Sequence, residues 1–113
     1  MGSRGSLRTP QRRTAVYRVM RTLRANAGEI PIALQWAADL TAYVNKNYPL
    51  SVQFGAEFSS NNIQWHWEID SLDRLQQLNL KLLKDREYWA FMQKAKGLFV
   101  EGTMKDTILS IAD

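Results

Sequence analysis

Between Leu50 and Asp70 the chain reads LSVQFGAEFSSNNIQWHWEID, and its apolar and polar positions alternate. Such alternation predicts two half-buried antiparallel strands. Ser59-Ser60-Asn61-Asn62 supplies the turn, since short polar side chains bond back to the local backbone. Folding about that turn pairs Phe58 with Ile63, Ala56 with Trp65, Phe54 with Trp67 and Val52 with Ile69, all apolar. The other face collects Gln53, Gly55, Glu57, Gln64, His66 and Glu68. A slip of one residue would mix the two classes.

The same patterning extends outward. TAVYRVMRTL, from Thr14 to Leu23, is rich in β-branched and aromatic residues and predicts a strand, with a loop over Arg24 to Gly28. Pro31 suits the first turn of a helix whose stripe is Leu34, Ala37, Leu40 or Thr41, Val44 and Tyr48, stopped by Pro49. Trp36 and Tyr43 lie off that stripe and read either as a subunit contact or as a wide buried face. After the hairpin, Asp70 or Ser71 caps a helix whose buried side is Leu72, Leu75, Leu78 or Asn79, Leu82 and Leu83. Asp85 is a fresh N-cap, so a break near Lys84-Asp85 and a second helical piece from Arg86 to about Lys96 are predicted, ending at Gly97. Tyr88, Trp89, Phe91, Met92 and Ala95 give that piece its apolar surface, and TMKDTILSI forms a last strand. Strand, helix, strand, strand, helix, strand is the split βαβ order of an α+β, ferredoxin-like βαββαβ fold. Its four-stranded antiparallel sheet carries helices on one face and leaves the other open for a partner copy.

With 113 residues, 45% of them hydrophobic, the chain suits one domain with a packed core. Residues 14–113 form that domain, behind a flexible basic N-terminal tail over 1–13. Seven arginines precede Ala25 and no acid does, whereas eight basic residues face eleven acids in the remainder. The net charge of +4 therefore sits at the front end, as a solvated tail or as an arm for an acidic partner. Met-Gly-Ser-Arg-Gly-Ser also reads in part as an expression-tag remnant. There is no cysteine, which suits a reducing, cytoplasmic setting, and no secretory-signal or transmembrane segment is expected.

YRVMRTLRANAGEI, a long helix, and then WHWEIDSLDRLQQLNLKLLKDREYWAFMQKAKGLF together resemble the NIPSNAP-like branch of the dimeric α/β-barrel superfamily. The most specific part is Leu82-Leu83-Lys84-Asp85-Arg86-Glu87-Tyr88-Trp89. Arg86 stands where that family commonly has proline, and Tyr88 where its tryptophan often sits. The resemblance covers roughly residues 15–112. It implies the ferredoxin-like fold and a homodimer pairing as a dimeric α/β barrel. It leaves the activity open, because the superfamily includes haem-degrading enzymes, quinone-forming monooxygenases, polyketide cyclases, isomerases and proteins of no known reaction.

Two places could carry chemistry. On the polar hairpin face, His66 could be a general base oriented by Glu57 or Glu68, with room beside the imidazole at Gly55 opposite; alternatively these are solvated or interface groups. His66 and Glu68 are about 6–7 Å apart along one strand face, too far for a tight metal site, so no metal is expected. On the aromatic face, Trp65 and Trp67 lie under the helices, and the resemblance implies a substrate cavity there. Arg18, Arg21 and Asn26 are the candidate anchors for an acid or phenolate group of a small aromatic ligand, although alternation sends Arg18 and Arg21 to opposite faces. The one histidine lies away from that cavity, so haem is not expected and no other cofactor is implied. Phosphate loops, triad spacings and zinc motifs are absent, and nucleic-acid binding would rest on the tail alone. The expected protein is thus a cofactor-free homodimer acting in ligand binding or protein interaction. The alternative is a cyclase or monooxygenase acting on an aromatic or polyketide-like substrate with His66 as base.

Overall fold

Strand β1 (Val16–Arg24) runs through a 3-10 turn (Ala27–Glu29) into helix α1 (Ile30–Asn47). The hairpin strands β2 (Gln53–Ala56) and β3 (Asn62–Ile69) follow, then α2 (Leu72–Leu83), α3 (Arg86–Lys94) and β4 (Lys105–Ile111). The computed structural model describes residues 16–57 and 59–111. The basic tail, Thr14, Ala15 and Phe58 lie outside them, as does the expected pairing of Phe58 with Ile63. The sheet is antiparallel throughout, in the order β2-β3-β1-β4, and the fold is α+β, ferredoxin-like.

Local chemistry sets the helix limits. Pro31 sits in the first turn of α1, where its missing N–H leaves nothing unbonded. Tyr48 leaves the helix in an extended conformation ahead of Pro49, as the residue before a proline prefers. The Ser71 hydroxyl accepts from Arg74 N–H at the start of α2, and Asp85 accepts from Glu87 and Tyr88 N–H at the start of α3. The break at Lys84-Asp85 is thus where the sequence predicts it. Gly97 takes φ +83°, beyond the end of α3.

The hairpin keeps its predicted faces but not its predicted pairing. Phe54 lies opposite Trp65 and Ala56 opposite Ile63, a shift of two positions. Glu57 N–H bonds to Asn62 C=O, so Asn62, expected in the turn, already belongs to the strand pairing. A two-residue shift preserves the side-chain alternation, so the apolar set still faces the helices. The expected pairing of Val52 with Ile69 is lost with the same shift, and β2 begins only at Gln53, since the Asn45 side chain takes both backbone groups of Val52, at 2.7 and 3.0 Å.

The core has two parts. Ala33, Trp36, Ala37, Ile63 and Trp65 form the larger, and Val19, Ile69 and Leu78 the smaller; Trp67 packs against both. Trp36 is therefore core and not a subunit contact: it meets Trp65 edge-on at 6.3 Å and donates to Phe91 C=O. Tyr43 likewise turns inward to Asp85. The α1 stripe is wider than the predicted line because Ala33 and Trp36 share it. Leu72 and Leu83, expected inside, are 49% and 57% exposed. At 100° per residue they lie about a quarter-turn from the line through Leu75, Leu78 and Leu82.

Asp85 ties these helices together. One carboxylate oxygen caps α3, and the other accepts from the Tyr43 and Tyr48 hydroxyls at 2.6 and 2.5 Å. Those bonds, Tyr43's first, hold the Asp85 carboxyl below its ordinary range. The same bond raises Tyr43, while burial and then Asp85 push Tyr48 up to about 12. The folded state thus binds the Asp85 proton more weakly than the unfolded chain does. Its contribution is complete above the unfolded value near pH 4 and is lost as pH falls through the lower folded value. We predict that Asp85→Ala costs at least the ~1 kcal/mol of a lost N-cap. Asp85→Asn should flatten the acid limb of a stability–pH curve measured by denaturant melts, and an unchanged limb would refute the assignment.

Candidate functional site

Because β3 alternates, it presents two different surfaces. On the helix side, Trp65 and Trp67 together with Trp36 wall a cavity of about 140 Å³ between the sheet and the helices. Leu40, Thr41 and Val44 of α1, Leu82 of α2, and Tyr88 and Met92 of α3 complete much of the lining. The Trp65 indole N–H donates to the buried Thr41 hydroxyl at 3.2 Å, which fixes both side chains. The Trp67 indole N–H is buried without a partner among the described residues, a cost of roughly 1–3 kcal/mol.

Arg21 projects from β1 to this cavity and is the one cationic group among the described residues that line it. It lies directly across from Asp106 on β4 and grips it with two parallel bonds, Nε to Oδ1 at 2.7 Å and Nη2 to Oδ2 at 2.8 Å. That bond to Asp106 raises Arg21 above its ordinary value in spite of burial, with Tyr88 contributing to the rise, and holds the Asp106 carboxyl low. Both partners stay ionised at neutral pH, so the pair is locally neutral. The exposed Met104 also borders the cavity.

The open side of the sheet carries the remaining candidates. Arg18 pairs with Glu68 directly across the strands at 2.9 Å, so Glu68 faces a cation instead of orienting His66. His66 lies opposite Gln53, and Gly55 lies opposite Gln64; the space expected at Gly55 is therefore not beside the imidazole. Glu57 reaches His66 only through Gln64. The Gln64 amide N–H donates to the Glu57 carboxylate, and its carbonyl oxygen lies 3.1 Å from His66 Nε2. A carboxylate only accepts, so the amide orientation is fixed, and Nε2 must be the protonated nitrogen. Nδ1 is left as the acceptor. Bonds from Ser60 and then Gln64 hold the Glu57 carboxyl below its ordinary range. The sheet separates His66, on the open face, from the tryptophan-lined cavity.

Asn26 lines neither place. Its side chain donates to Gly97 C=O at 2.8 Å and its backbone N–H to Leu98 C=O, tying the exit of β1 to the loop after α3. Thr41 and Tyr88, expected only as packing positions, line the cavity, and Asp106 joins the site without having been singled out in the sequence. Asp106 had a signal: it is a charge on the same side of its strand as the apolar Ile108. No three His, Cys, Asp or Glu side chains cluster among the described residues, and no described helix is long and apolar enough to cross a membrane.

No protein-family model and no curated protein matches the chain. Solved structures do. A NIPSNAP family protein of unknown function from Agrobacterium tumefaciens is 22% identical, with a TM-score of 0.75 over 89% of this chain and 92% of that one. An uncharacterized NIPSNAP domain protein from Burkholderia xenovorans is 21% identical, with a TM-score of 0.73 over 85% and 94%. A putative antibiotic biosynthesis monooxygenase from Caulobacter crescentus is 18% identical, with a TM-score of 0.68 over 88% and 92%. The chain shares the ferredoxin-like fold of all three.

The hydrogen-bond chain makes a prediction about the ring itself. In the neutral imidazole, long-range nitrogen–proton NMR should show Nε2 protonated and Nδ1 bare, and Gln64→Leu should produce a mixture of tautomers. A wild-type ring protonated at Nδ1 would overturn the assignment.

Proposed function

We propose that this protein binds a small organic molecule in the cavity between its sheet and helices, and that it works as a homodimer joined through the open sheet faces. The observation that carries the first part is the lining: three tryptophans and aliphatic side chains around a fixed ion pair. Apolar walls with a few placed polar groups are the usual form of a ligand site. The likeness to a putative antibiotic biosynthesis monooxygenase agrees with a small organic ligand. His66 has no part in this reading, because it sits on the far side of the sheet.

The dimer reading rests on the uncovered face. Leu109 is 47% exposed there, beside the Arg18–Glu68 pair. A two-fold contact presents the same patch twice, so each Arg18 can meet the other copy's Glu68 around a shared apolar centre.

Native mass spectrometry tests both parts. Protein purified from its own source should carry an adduct of small-molecule mass, and Met92→Trp, which fills the cavity, should lose it. An adduct that survives Met92→Trp would place the ligand elsewhere. The dimer should appear in the same spectra and dissociate at least tenfold more readily in Leu109→Glu; a monomeric wild type would end the dimer reading.

A further inference from the structure

Granting that a small molecule binds this cavity, we infer that it is an uncharged single-ring compound bearing one hydrogen-bonding oxygen, a simple phenol in chemical class. Multi-ring polyketides exceed the cavity's walled volume, and aromatic carboxylates meet a cation that is already neutralised.

Size comes first. The cavity opens to solvent on one side and has a volume of about 140 Å³. An apolar cavity of roughly 150 Å³ holds one benzene, whereas drug-sized ligands occupy about 300–1,000 Å³. One six-membered ring therefore fills the walled part of the cavity, and a second fused ring would have to lie in its open mouth. Trp36, Trp65 and Trp67 present flat aromatic surface to such a ring.

Charge decides the substituent. Among the described residues, the only ionic side chain lining the cavity is Arg21, and Asp106 already neutralises it through Nε and Nη2. A carboxylate ligand would be a second anion competing for one guanidinium, beside a carboxylate that is held in place by the strand pairing. An uncharged hydroxyl escapes that repulsion. It can accept from one of the guanidinium N–H groups that Asp106 leaves free, or exchange hydrogen bonds with the Tyr88 or Thr41 hydroxyl.

Calorimetric titration with phenol, benzoate and 1-naphthol separates the possibilities. Phenol should bind at least tenfold more tightly than either of the others at neutral pH. Asp106→Asn, which keeps shape and removes the anion, should raise benzoate affinity at least tenfold and leave phenol within about twofold. Benzoate binding as well as phenol, or failing to gain from Asp106→Asn, would overturn the charge argument while leaving the cavity as a binding site. Equal binding of 1-naphthol would overturn the size argument in the same way. If none of the three probes binds, the ligand-binding reading falls and takes the inference with it.

Discussion

Both candidate sites in this fold depend on the two-residue period of β3. Ile63, Trp65, Trp67 and Ile69 must go to one side and Gln64, His66 and Glu68 to the other. Since β3 pairs with β1 on one edge and β2 on the other, its alternation fixes the facing of both neighbours. One side then has to be covered. The helices do so with small and large residues in turn: Ala33 and Ala37 let α1 approach the sheet closely, while Trp36 fills the space between them and the loop after α3. The cavity is what remains where the two parts of the core meet at Trp67.

Much of this was legible because alternation and capping are local. The facing of the strands, the break at Asp85, the stop at Gly97 and the opposition of Arg18 and Arg21 all follow from spacing. The hairpin register was not legible in the same way. Pairings two residues apart place the same side chains on the same faces, so the apolar pattern cannot choose between them. The choice falls to Glu57 and Asn45, which bind the loop and the start of β2 through side-chain bonds that no periodicity announces.

The site was legible in part for the same reason. Trp65, Trp67 and Arg21 could be placed from their own strands. Tyr88 and Thr41 join them only through packing between distant elements, and Asp106 only through the β1–β4 register. Asn26 shows the converse: a polar residue near a candidate site is used to hold a backbone carbonyl, the commoner fate of a loop asparagine. His66 and Glu68 share a face as expected, yet each is engaged by a different partner.

The most direct test of the cavity as the binding site uses the four indole N–H signals in a nitrogen–proton correlation spectrum. Trp36, Trp65 and Trp67 line the cavity; Trp89 lies on the surface with its N–H bonded to Leu83 C=O and is the internal control. Titrating phenol should shift the first three and leave the fourth in place. Shifts confined to Trp89, or no shift at saturating phenol, would contradict the account.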